Sequence, residues 1–118
     1  MGTMATATCE CGYSTRLLLG GGMANCETVC LFPVYCRACR VLLCANLFDS
    51  PITCEKCGGS DVVAYDAPEL LGEAGASKVF SWHIAERLGR IPRLSDGSYL
   101  CPSCQQKRLL FKDVGNWD

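Results

Sequence analysis

The sequence is poor in histidine, in long apolar runs and in any sign of a leader. One histidine, His83, in 118 residues leaves little from which to build a histidine-rich metal set or a histidine acid–base pair. No apolar run approaches the roughly 18 residues that a membrane span needs, so a soluble chain with no membrane partner is expected. The opening MGTMATATCECG has no basic stretch followed by an apolar one, the pattern that directs export to an oxidising compartment. The glycine run LGGGM, Leu19 to Met23, has no Lys-Ser/Thr behind it, so it reads as a turn between strands and not as a phosphate loop.

Cysteine is what the sequence has in excess. There are eleven, an odd number, and with no export signal a cytoplasmic setting is expected, where paired cysteines bind metal more often than they form disulfides. They also inflate the hydrophobic share of 49%; without them the aliphatic content is modest and is broken by twelve glycines and five prolines. Something other than apolar burial is expected to hold so short a chain together.

Charge is nearly balanced overall, at −1, but unevenly spread. Residues 1–77 hold four basic and eight acidic side chains, whereas residues 78–112 hold seven basic and two acidic ones. The basic excess of the C-terminal third, with aromatic residues among it, makes Trp82, Arg87, Arg90, Arg93, Lys107 and Arg108 a candidate binding surface, although a solvated face explains the same charges.

Strand signals dominate: Tyr13 to Leu19, Thr28 to Cys36, the run VLLCANLF after Arg40, DVVAY from Asp61, and Arg108 to Lys112. Pro33 implies that the second of these is an edge or carries a bulge. Asp66 to Ala76 reads as a linker or irregular turn. A helix is predicted over about 77–88, capped by Ser77, with Val79, Phe80, Ile84 and Leu88 as its apolar stripe, Gly89 to end it and Pro92 to bar continuation.

Two C-x-x-C pairs, Cys36/Cys39 and Cys54/Cys57, lie fourteen residues apart between Cys39 and Cys54, and Gly58 and Gly59 follow the second. Two turns that each offer two thiolates fill a zinc tetrahedron, and glycine permits the positive φ that such turns use. Two further knuckles, Cys9/Cys11 and Cys101/Cys104, cannot fill a site alone. Joined, they make an outer four-cysteine site nested around the inner one and fasten the two ends of the chain together, for two zinc ions per chain. A tandem alternative, Cys9, Cys11, Cys26 and Cys30, repeats the fourteen-residue gap but leaves Cys101 and Cys104 without partners. Under the nested scheme Cys26, Cys30 and Cys44 remain as small core residues. Each filled site adds two negative charges, taking the chain to about −5, which is less comfortable for a nucleic-acid partner.

The segments YCRAC and CEKCGG resemble the knuckles of the zinc-ribbon superfamily. CGYS and YLCPSC are similar to rubredoxin-like knuckles, except that Cys9 and Cys11 are separated by one residue and no glycine follows Cys104. With GGGM, FPVYC and YDAPEL, the chain up to Leu70 resembles a small group of bacterial zinc-ribbon proteins. That resemblance implies a fold and a ligand set, and no activity.

These readings give one domain over 1–118, small, metal-bound and mainly β with one helix, with an inner ribbon over about 28–66. No acid, base or nucleophile constellation stands outside the cysteine pairs, so the expectation is no enzyme and no small-molecule substrate. A zinc-stabilised adaptor for a protein partner is favoured. The alternatives are a nucleic-acid-binding ribbon that uses the basic C-terminal third, and a rubredoxin-like iron electron carrier.

Overall fold

A computed structural model describes residues 2–21, 29–49, 52–81 and 92–117. Among the described residues, nine strands form three antiparallel sheets. The largest has the order β2-β1-β9-β8, built from β1 (Gly2–Thr8), β2 (Ser14–Leu19), β8 (Ser98–Tyr99) and β9 (Leu109–Trp117). The second has the order β4-β3-β5, from β3 (Leu31–Cys36), β4 (Val41–Asn46) and β5 (Val62–Ala64). The third is a hairpin of β6 (Lys78–Ser81) and β7 (Arg93–Ser95).

The first strand escaped the sequence reading, because GTMATAT carries little hydrophobicity. Its second half nonetheless alternates: Ala5 and Ala7 are fully buried on the face they share with Leu17 and Leu19 of the neighbouring strand, while Thr6 between them is half-buried and Thr8 is exposed. Small inward side chains let the second layer approach closely. At Met4/Ala5 a bulge in the pairing with β9 breaks the register.

Pro33 corrects a second expectation, since β3 is the central strand of its sheet and not an edge. It is tolerated because its main chain faces the β5 side, and β5 pairs only from Val34 onward. No N–H is needed there, and the Pro33 carbonyl accepts a hydrogen bond from Tyr65 N–H at 3.0 Å.

The helix over 77–88 is a third correction where it can be compared. Lys78–Ser81 is a strand paired with Arg93–Ser95, and Phe80 reaches the core, 6.0 Å from the ring of Phe32. Val79 and Phe80 suit a pleated surface as well as a helical stripe, and the partner strand decides between them. The rest of that helix, with His83, lies outside the described residues, and among the described residues the only helical element is the single 3₁₀ turn Pro68–Leu70. No described helix is long and apolar enough to cross a membrane.

Asp66 to Ala76 is packed and not a free linker. Leu70 is buried, Leu71 bridges to Tyr99, and Leu100 N–H donates to Leu70 O at 2.9 Å. Between the sheets sits an aromatic cluster centred on Tyr65, whose ring meets Phe111 edge-on at 5.5 Å and Tyr99 at 6.3 Å. The fully buried Tyr65 hydroxyl donates to Leu100 O at 2.9 Å, directly before the knuckle of Cys101.

Candidate metal centres

Each knuckle is made by the same main-chain pattern. Arg40 N–H donates to Cys36 O at 2.8 Å, Gly58 N–H to Cys54 O at 2.8 Å and Gln105 N–H to Cys101 O at 3.0 Å, so each C-x-x-C curls into one tight turn. The Cys9-Glu10-Cys11 knuckle is the same turn one residue shorter, closed by Gly12 N–H to Cys9 O at 3.0 Å. In all four the residue after the last cysteine has positive φ: Gly12 at 100°, Arg40 at 56°, Gly58 at 71° and Gln105 at 60°. Glycine is the residue expected there, and two knuckles hold the conformation without it.

These turns aim their sulfurs at two points. The Sγ atoms of Cys9, Cys11, Cys101 and Cys104 all lie within 4.8 Å of one another, and so do those of Cys36, Cys39, Cys54 and Cys57. Across the outer set Cys9 and Cys104 are 3.7 Å apart, as are Cys11 and Cys101. Across the inner set the separations are 3.8 Å for Cys36 and Cys57 and 3.9 Å for Cys39 and Cys54. A tetrahedron of thiolates with metal–sulfur bonds of about 2.3 Å has edges of about 3.8 Å, so both sets fit a four-coordinate metal. A disulfide at about 2.05 Å is excluded at these distances.

The grouping is the nested one. The inner set joins the β3–β4 turn to the segment between β4 and β5, whereas the outer set joins the β1–β2 turn to the distant segment before β9. The tandem grouping is not formed among the described residues: Cys30 is buried, with its N–H on Asn46 Oδ1 at 3.0 Å, and Cys26 lies outside the described residues.

Main-chain N–H groups tune the thiols. In the outer set the N–H of Tyr13 brings Cys11 down to about 7, whereas burial pushes Cys101 up to about 12. In the inner set the N–H of Cys57 brings Cys54 down to about 7, and the neighbouring thiol of Cys57 pushes Cys39 up to about 12. Each set therefore has one thiol ready to ionise and one that needs a cation beside it. The charge of a bound metal supplies that cation.

The two sets are tied to one another through tyrosines. Tyr35, next to Cys36, donates its hydroxyl to Gln105 Oε1 at 3.2 Å, next to Cys104. With the bond from Tyr65 to Leu100, the β3–β5 layer thus holds both ends of the Cys101 knuckle. Nothing in the sequence marked either tyrosine for this role.

The remaining candidates are scattered or silent. Arg93, Lys107 and Arg108 are exposed, and Arg108 pairs with Glu10 at 3.7 Å. Trp82, Arg87 and Arg90 lie outside the described residues. Arg37, which follows Cys36, pairs with Asp61 at 3.2 Å and with Glu69. Cys44 is outside both sets, and burial pushes its thiol up to about 11, the opposite of an activated nucleophile.

No family model, curated protein or solved structure matches this chain. The likeness to zinc ribbons therefore stands on the two four-cysteine clusters alone.

Proposed function

We propose that this chain is a zinc-stabilised, non-catalytic adaptor that presents its β-hairpins to a protein partner. The observation that carries the reading is the closure of both sulfur sets: four protein thiolates complete each tetrahedron and leave no coordination position for substrate, the arrangement of structural and not catalytic zinc. Zinc is favoured over iron because the Cys9-Glu10-Cys11 knuckle is shorter than a rubredoxin knuckle, and because Cys104 has no glycine after it. The elevated thiol of Cys44 adds no nucleophile outside the sites.

Elemental analysis of the native protein by mass spectrometry tests the metal: two zinc per chain and a colourless solution are expected, and a red protein with iron in either site overturns the assignment. Chemical cross-linking of the zinc-loaded chain tests the adaptor role, with one dominant protein partner expected and lost on chelation. Binding to nucleic acid that weakens steeply with salt, and again when Arg93, Lys107 and Arg108 become alanine, would replace the adaptor by the nucleic-acid reading.

A further inference from the structure

The main-chain groups left bare on β4 can be assigned residue by residue. Arg37 N–H donates to Asp61 O and Tyr65 N–H to Pro33 O, so the odd-numbered residues of β3 direct their main chain toward β5. Cys36 O accepts from Arg40 and Cys30 O from Leu47, so the even-numbered ones face β4. Opposite them, in the register Cys36↔Val41 and Val34↔Leu43, stand Val41 and Leu43. Leu42 and Cys44 must then turn N–H and C=O outward, and among the described residues no main-chain partner meets them.

The strand itself, VLLCAN, carries neither of two common guards of an edge, charge and proline, and such an edge invites another strand. Two clefts, of about 420 and 250 Å³, run along it and share Leu43 and Glu55. Tyr13 and Pro102, from the outer knuckles, and Lys56 of the inner knuckle line the larger cleft together with Val41, Leu42 and Leu43. The edge is therefore recessed. A second copy would bring its own β4 behind the same walls, whereas a single extended segment can enter.

Charge gives that segment a direction. Arg40 and Lys56 stand at the Val41 end, Glu55 lines both clefts between the ends, and Asp49 lies beyond the Asn46 end; neither Arg40 nor Asp49 has an ion-pair partner among the described residues. Every strand pair described in this fold is antiparallel, and an antiparallel arrival starts near Asp49 and finishes near Arg40 and Lys56.

We propose that the groove along β4 binds an extended segment of a partner protein as an added antiparallel strand, with an aspartate or glutamate side chain near its C-terminal end held by Arg40 and Lys56. The proposal rests on the adaptor reading and names where the partner enters. Main-chain bonds to Leu42 and Cys44 supply affinity, and the charged ends fix direction.

The test is selection of a displayed library of random peptides of about eight residues on the zinc-loaded chain, a little longer than an average strand. Alternating sequences with an acidic residue near the C-terminal end are expected. A synthetic copy of the best should slow hydrogen exchange of the Leu42 and Cys44 amides at least about tenfold. Leu42→Pro, which removes an outward N–H and no bond to β3, should abolish binding. The double charge reversal Arg40→Glu and Lys56→Glu, with zinc content unchanged, should select basic residues in place of acidic ones, which keeps the test decisive if the proline variant does not fold. The proposal is overturned if nothing is enriched, if bound peptides leave those two amides exchanging freely, if selection ignores the charge reversal, or if the chain alone protects them in a concentration-dependent dimer. A partner protein that binds while both amides keep exchanging defeats this inference and leaves the adaptor reading standing.

Discussion

Cys44 and Tyr65 illustrate how single residues take their chemistry from their surroundings. The Cys44 thiol is held neutral by burial, with its ionisation moved from 9 to about 11. A folded value above the unfolded one gives stability that is complete below about pH 9 and is lost as pH rises through about 11. Thermal melts across that window should show a smaller fall in Cys44→Ala than in the wild type, and iodoacetamide at pH 8 should leave Cys44 unmodified until the protein unfolds. Tyr65 is a buried donor whose partner, Leu100 O, has no other bond described. Tyr65→Phe should cost about 1–3 kcal/mol in denaturant unfolding, the usual penalty for a buried polar group left without its partner. An equal stability of the two proteins would mean that water takes the place of the hydroxyl.

Among the elements, the knuckle is the unit that repeats, and its cost lies at the residue after the last cysteine. Gly12 and Gly58 have open space where a Cβ would stand, so alanine there meets no clash and only the positive φ opposes it. Gly12→Ala and Gly58→Ala should each destabilise by about 1–2 kcal/mol. Gln105 holds the same conformation with a side chain, at φ 60°, and Gln105→Gly should recover up to about 1 kcal/mol, less whatever its bond from Tyr35 and its own Nε2 bond to Pro102 O at 2.7 Å contribute. Calorimetry of the three variants checks both signs; a loss at Gln105 comparable to that at Gly58 would mean that these two side-chain bonds outweigh the backbone strain. The glycines after Cys11 and Cys57 were legible in the sequence as turn markers. Arg40 and Gln105 were not, because nothing in an arginine or glutamine announces a left-handed backbone.

For the molecule as a whole, two sulfur sets that could each hold a metal stand beside the core as a second means of closing the fold. Structural zinc in small peptides contributes on the order of 10–16 kcal/mol at neutral pH, as much as the entire net stability of about 5–15 kcal/mol of an ordinary domain. Removing the metal with a strong chelator should collapse the cooperative melt, and acid should release it as the thiolates protonate. Cys101→Ser should remove one of the two metal ions and loosen the contact between the β1–β2 hairpin and the segment before β9, while the inner site keeps its ion; retention of both ions would contradict the nested sets. The sequence by itself determined the four knuckles and most strands, since C-x-x-C spacing and runs such as VLLCANLF act over a few residues. Only the tertiary structure decided which knuckles meet, because Cys9 and Cys104 are ninety-five positions apart and no local pattern carries that distance. The same holds for the small-residue strand Gly2–Thr8, whose alanines join a core only beside Leu17 and Leu19 of the neighbouring strand, and for Lys78–Ser81, where pairing with β7 overrode a helical stripe. Local spacing fixes what a segment can do, and the partner that buries it fixes what it does.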